Sequence, residues 1–140
     1  KKYFVDQRKV EMLESKNENA LSYLQSIEYI KMQPGKKVVI MGFENVSRRY
    51  KYNDLSWLWD VPFEGLVDEH IEKIFCIGRF RYDVAARLRY AGIDEETIFL
   101  VNDLDNLISD VQSMSSGDIY TMVCFDMTAI IKKQIEGVTK

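Results

Sequence analysis

The sequence has few cysteine and histidine side chains, which often bind metals or act as nucleophiles and bases. It contains two cysteines, two prolines and one histidine in 140 residues. Cys76 and Cys124 lie in separate apolar runs without CxxC or Cys/His spacing, which argues against a metal site and a disulfide framework. We expect both thiols to be small buried hydrophobic groups. His70 follows acidic residues in a helix-like stretch at residues 65–74, so we expect a solvated surface side chain rather than a catalytic base.

A strong excess of charge of one sign is also lacking. There are 19 Lys and Arg against 22 Asp and Glu, a formal net charge of −3, which gives no bulk reason to expect binding to nucleic acid or an anionic membrane. No apolar run approaches the length of a membrane span. The composition, 46% hydrophobic and 29% charged, is typical of one globular domain over residues 1–140. The abrupt start "KKYFVDQRKV" is typical of a domain cut from a longer chain.

Hydrophobic periodicity predicts alternating strands and helices. The first residues, 1–13, read as a hairpin or an edge strand. Short apolar runs predict strands at residues 36–43, 71–78, 96–101 and 118–125. Helical spacing predicts helices at residues 17–32, 79–92 and 102–114, the last capped by Asn102 or Asp103. This alternation indicates an α/β fold, with a mostly parallel sheet covered by helices on both faces.

Ligands of such sheets collect beyond the carboxyl ends of the strands, where we expect residues 42–60, 78–83 and 125–128 to converge. The first of these segments holds both tryptophans. In an extended segment Trp57 and Trp59 would point the same way and form an apolar patch suited to an interface; alternatively, one or both complete the core. Asp54 and Asp60 bracket them without a nucleophile or a base nearby.

Two arginines follow Gly78 at the expected start of a helix. A glycine turn and a helix N-terminus can bind an anion, and Arg79 and Arg81 would strengthen such a contact. The pattern is neither G-x-G-x-x-G nor a Walker sequence, so it does not indicate a nucleotide. The alternative is that both arginines pair with surface acids.

Two motifs resemble a known family, the C-terminal domain of MurT, the Mur-ligase-like subunit of lipid II isoglutaminyl synthase. The segment "NDLSWLWDVPFE" is similar to that family's D-x-S-W-[IL]-[WY]-D-x-x-F-E signature, which here begins at Asp54 and ends at Glu64. The segment "RYDVAARLRYAGI" resembles the family's helix, R-A-x-D-M-A-x-R-L-K-Y-A-G. The resemblance extends over nearly the whole chain and implies a Rossmann-like fold of the Mur ligase C-terminal type.

The resemblance also implies an activity for the complete ligase. That ligase would use ATP to activate the α-carboxylate of D-glutamate in the lipid II stem peptide, after which ammonia replaces phosphate. Ammonia would come from a GatD-like glutamine amidotransferase, whose Cys and His lack an acidic third member. Asp54 would supply that carboxylate, while Trp57, Trp59 and Asp60 would dock the partner. The expected location is the bacterial cytoplasm, near the inner face of the membrane.

The chain has no G-x-x-x-x-G-K-[ST] loop. ATP and Mg²⁺ are therefore expected to bind mainly to another domain of the ligase, and this domain alone is expected to be inactive and to hold no cofactor. The alternative is a non-catalytic binding or scaffold domain for an amidotransferase or another partner.

Overall fold

The structure is a computed structural model that describes residues 2–14, 20–43, 55–123 and 125–138. Within these residues, six strands follow one another as β1 (Lys2–Val5), β2 (Arg8–Glu14), β3 (Lys37–Gly42), β4 (Ile71–Ile77), β5 (Ile98–Leu100) and β6 (Asp118–Val123). The same part of the chain contains four α-helices: α1 (Ala20–Met32), α2 (Arg81–Tyr90), α3 (Leu107–Met114) and α4 (Phe125–Val138). Short 3-10 helices occupy Ser56–Asp60, Phe63–Leu66, Glu95–Thr97 and Leu104–Asn106.

The six strands form one sheet in the order β1-β2-β6-β3-β4-β5. Every neighbouring pair is parallel except β1 and β2, which form the antiparallel hairpin expected at the N-terminus. Asp6 turns this hairpin with a φ of 57°, a left-handed conformation that Asp tolerates. All six residues of β3 are buried, as expected for a central strand covered on both faces. The predicted mostly parallel α/β sheet is confirmed.

Alternate residues of the central strands feed two hydrophobic cores, because successive strand side chains point to opposite faces. Val39 and Met41 of β3 face α1 and α2, together with the segment that connects β3 to β4. Val38 and Ile40 face α3 and α4 on the other side. Residues 55–66, the described part of the connection between β3 and β4, therefore pack as part of the first core.

Residues 65–74 do not form the helix-like stretch expected around His70. A 3-10 helix ends at Leu66, His70 lies in a turn, and β4 begins at Ile71. Pairing with β3 decides this, since the whole of β4 aligns with that central strand. The His70 side chain is more than half exposed, as expected, and its backbone N–H donates to Asp68 Oδ1 at 2.8 Å.

Two smaller expectations have clear outcomes. The strand predicted at residues 118–125 ends at Val123, because α4 already begins at Phe125. Asp103 is the cap before α3, but it acts through a preceding 3-10 turn, accepting from the Asp105 N–H at 3.0 Å.

Cys124 lies outside the described residues, and Cys76 is fully buried.

Gly42 ends β3 where the chain leaves the sheet. A Cβ at this position would lie 2.1 Å from the carbonyl oxygen of Ile77, so only glycine lets the ends of β3 and β4 approach this closely. The close approach fixes the point from which the chain departs toward the tryptophans.

Candidate functional site

The tryptophan loop, defined here as residues 55–66, consists of two 3-10 turns separated by Val61 and Pro62. Such helices have about three residues per turn, so residues two apart point to different sides. Trp57 is accordingly 8% exposed and Trp59 is 54% exposed. The expectation that both indoles point the same way was wrong, because the segment is coiled rather than extended.

Trp57 belongs to the core, which is one of the two readings that the sequence left open. Its ring lies 5.1 Å from the Tyr23 ring and 5.4 Å from the Phe43 ring, measured between centroids. Phe43 stacks on Phe80 at 5.3 Å, just before α2 begins. Trp57 thus reaches the carboxyl end of β3, but its burial removes it from any docking surface.

Trp59 lies against the other end of α2. Its ring meets that of Tyr90, the last residue of α2, edge to face at 5.0 Å. A helix that follows a parallel strand returns toward the amino ends of the strands, so its last turn lies away from their carboxyl ends. The expected convergence of the whole segment beyond the carboxyl ends is therefore correct for Trp57 and wrong for Trp59.

Arg87 holds the tryptophan loop against α2. The residue is 3% exposed, and its guanidinium donates from Nε to the Leu58 carbonyl at 3.0 Å and from Nη2 to the Val61 carbonyl at 2.7 Å. Nη1 and Nη2 also donate to the Glu64 carboxylate at 3.3 and 3.2 Å. These bonds satisfy two loop carbonyls and a buried charge together, as a planar guanidinium can.

Aromatic rings enclose the same guanidinium. Its carbon lies 5.2 Å from the centroid of the Trp59 ring and 5.3 Å from that of Phe63, distances suited to cation–π attraction. The hydrogen bonds from Arg87 lower the pKa of Glu64 below its ordinary value. Arg87 thereby joins the two family-like motifs physically, since Glu64 ends one and Arg87 lies within the other.

Arg87 and Glu64 are positions of the two family-like motifs, but the sequence alone predicted no role for either residue. A signal for Arg87 was present in the spacing of α2. Val84 and Leu88 lie on the apolar stripe, and Arg87 is three residues after Val84, which puts it on the same buried face. A charged residue on such a stripe needs hydrogen-bond partners and an opposite charge to offset its burial.

Arg79 and Arg81 follow the turn made by Gly78, whose φ is 87°. Arg81 folds back, with Nη1 donating to the Gly78 carbonyl at 3.0 Å, while Arg79 is exposed and lies 5.1 Å from the Phe80 ring. The sequence left open that these arginines pair with surface acids, but the contact of Arg81 is with a backbone carbonyl. A contact of these arginines with an anion stays a prediction.

Of the two acidic candidates, Asp54 and Asp60, only Asp60 lies within the described residues. Asp60 closes the first 3-10 turn and is exposed. Asp54 lies outside the described residues and directly precedes Leu55 in the sequence. Its role as a carboxylate supplied to a partner stays a prediction, as does the docking role of Trp59 and Asp60.

The described residues offer little chemistry of their own. Burial raises the pKa of the Cys76 thiol to about 12, so it is neither accessible nor ionised at neutral pH. Among these residues no group of three or more His, Cys, Asp or Glu side chains could hold a metal ion. No helix within the described ranges is long and apolar enough to cross a membrane. The geometry suits binding through an ordered loop.

Comparisons with known proteins agree with this fold and these motifs. A curated relative, the lipid II isoglutaminyl synthase (glutamine-hydrolyzing) subunit MurT of Streptococcus pneumoniae (strain ATCC BAA-255 / R6), is 28% identical over 72 residues, which are 51% of this chain and 16% of that protein. The chain thus corresponds to a small part of that relative's length. Among solved structures, MurF ligase from Thermotoga maritima in complex with ADP superposes with a TM-score of 0.56 at 15% identity. That superposition covers 98% of this chain and 29% of the MurF chain, and it supports the fold alone. The model of the MurT ligase C-terminal family matches residues 16–129, so the chain belongs to that family.

Proposed function

We propose that the chain is the C-terminal domain of a ligase subunit that amidates D-glutamate in the lipid II stem peptide. In this proposal a GatD-like glutamine amidotransferase docks on the domain and releases ammonia from glutamine. Asp54 supplies the acidic member that the partner's Cys and His lack. Membership of the MurT ligase C-terminal family and the similarity to the Streptococcus MurT subunit support this assignment.

The observation that carries the proposal is the fixed tryptophan loop. Arg87 binds the carbonyls of Leu58 and Val61, and the loop it holds begins at the residue after Asp54. A carboxylate that orients another subunit's imidazole must be held in one position, because orientation of the histidine tautomer depends on that hydrogen bond. A loop ordered before binding spares the conformational entropy that docking would otherwise cost.

Binding of ATP and Mg²⁺ is assigned to a part of the ligase outside this chain. The sequence has no phosphate-binding loop, and the described residues contain no carboxylate cluster suited to a metal. These residues do not fit Mg²⁺-bound ATP by themselves, so the role proposed for this domain is to dock and orient. The corresponding location is the bacterial cytoplasm, near the inner face of the membrane.

The decisive experiment compares Asp54→Asn with Asp60→Asn in the complex with the cognate glutaminase. Both changes remove one carboxylate, but only Asp54 is assigned to the partner's histidine. We expect Asp54→Asn to reduce glutamine hydrolysis strongly; the equivalent change in a serine protease triad costs on the order of 10⁴-fold. Asp60→Asn should retain turnover at saturating partner.

Three outcomes separate the candidate functions. Unchanged hydrolysis by the Asp54→Asn complex would remove the trans-carboxylate role. Complex formation without any amidated product, when glutamine, ATP and lipid II are supplied, would favour the non-catalytic scaffold alternative. Failure of the wild-type protein to bind the glutaminase would overturn the proposal as a whole.

A further inference from the structure

The surface around Trp59 and Tyr90 is apolar at its centre. Trp59 is 54% exposed and Tyr90 is 74% exposed, yet their rings are in edge-to-face contact at 5.0 Å. Arg87 beneath them is committed to loop carbonyls and to Glu64, so it contributes little free charge to this surface. An exposed, ordered pair of aromatic rings is typical of an interface anchor.

A cleft of about 630 Å³ opens where α2 ends, lined by Arg89 on one side of Tyr90 in the chain and by Gly92 and Ile93 on the other. Val67 and Ile93 give it an apolar floor, and Val67 faces Gly92, two residues beyond Tyr90, at 3.9 Å from the position of a Cβ. Four carboxylates line the cleft against one guanidinium, that of Arg89: these are Asp68, Glu69, Asp94 and Glu95. Arg89 itself lies 3.8 Å from Glu95.

We propose that the Trp59–Tyr90 pair and the adjoining acidic cleft form one docking surface for a basic partner. The partner that fits presents an apolar pocket for the indole, surrounded by Lys and Arg side chains that enter the cleft. The inference rests on the proposed function, under which this partner is the glutaminase subunit. Charge complementarity of this kind speeds encounter and fixes the register of docking.

The same charges argue against a second copy of this chain as the occupant. In a symmetric dimer through this surface, the acidic cleft of one copy would face the acidic cleft of the other, since an isologous interface pairs the same patch of both subunits. Like charges at short range repel, and the single guanidinium lining each cleft is already close to Glu95.

The test measures binding of the wild-type protein, as its gene encodes it, to the cognate glutaminase at several salt concentrations. We expect Trp59→Ala to weaken binding about 30-fold or more, as truncation of a buried interface anchor does. Tyr90→Ser should also weaken it, with little risk to folding because this side chain is mostly exposed. Thermal unfolding of each variant checks that the tryptophan loop is intact.

Charge reversal tests the acidic part separately. The double variant Glu69→Lys, Asp94→Lys should slow association roughly 10-fold at low salt and flatten the salt dependence. The double variant Asp105→Lys, Glu136→Lys is the matched control, because it changes the net charge by the same amount and both residues are exposed in elements that pack on the opposite face of the sheet. It should leave both quantities close to those of the wild type.

The possible results are distinguishable from one another. If the wild type binds tightly and neither the aromatic nor the charge variants change that binding, the docking surface is overturned while the proposed function stays intact. No binding of the wild type at low salt would overturn both. Self-association that Trp59→Ala abolishes would instead make a second copy the occupant and overturn the inference.

Discussion

Replacing Arg87 with Met should destabilise the protein far more than replacing an exposed arginine of the same helix. The change keeps much of the side chain's apolar length but removes every donor that binds the tryptophan loop. The carbonyls of Leu58 and Val61 then lose the buried partner that they have in the structure. The Glu64 carboxylate loses its guanidinium as well.

The magnitude follows from these contacts. A hydrogen bond from a charged donor contributes about 1.5–3 kcal/mol, and Arg87 makes two of them to the loop carbonyls. Each carbonyl then keeps a single backbone donor, the Val61 N–H at 3.4 Å for Leu58 and the Phe63 N–H at 2.9 Å for Val61. Glu64 adds little, because its side chain is 54% exposed and water screens the ion pair. We expect the free energy of unfolding to fall by roughly 3–5 kcal/mol, a large fraction of the total of about 5–15 kcal/mol for a domain of ordinary stability.

Urea denaturation followed by circular dichroism measures this loss, with Arg89→Met as the control. Arg89 is on the same helix, but its side chain is 55% exposed and its carboxylate contact is 3.8 Å long, so its removal should change stability by no more than about 0.5 kcal/mol. Arg87→Lys should be intermediate, since an ammonium cannot reproduce the planar fork. Equal stability of the two Met variants would refute the assignment of Arg87 as the support of the loop.

The contribution of the Arg87–Glu64 ion pair to the stability of the protein depends on pH. The pKa of Glu64 is lowered from its ordinary value of 4.5 by the hydrogen bonds from Arg87. Its contribution is therefore present above the pKa of the unfolded chain and is lost as pH falls through the folded value. The stability difference between wild type and Glu64→Gln should shrink below about pH 4.5 and not above it.

Two further experiments test the packing that positions the site. Gly42→Ala should cost roughly 2–3 kcal/mol or more in urea denaturation, because its Cβ would lie 2.1 Å from the Ile77 carbonyl oxygen; Gly137→Ala, with open space around it in α4, should cost nothing. In a Cys124→Ser background, a thiol reagent at pH 8 should leave Cys76 unmodified until the protein unfolds, since burial raises the pKa of that thiol to about 12. Rapid modification of the folded protein would contradict this packing.

Strand and helix positions were largely accessible from the sequence because local patterns report burial directly. The short β-branched run at residues 36–43 indicated a strand covered on both faces, and Gly78 marked the turn before α2. His70 was misplaced because its acidic neighbours suggest a helix locally, whereas pairing of β4 with β3 is a long-range interaction. The cap could be narrowed to Asn102 or Asp103 because capping is local, and the structure shows that Asp103 caps the 3-10 turn before α3.

The sequence by itself determined the α/β sheet, the family motifs and the presence of two tryptophans in the segment between β3 and β4. Only the tertiary structure decided that Trp57 is core and Trp59 is surface, because three-residue turns separate their directions. It also decided that Arg87, which periodicity alone would place among apolar neighbours, binds a loop more than twenty residues earlier in the chain. Hydrogen bonds between such distant segments depend on the relative placement of whole elements, which no local pattern encodes.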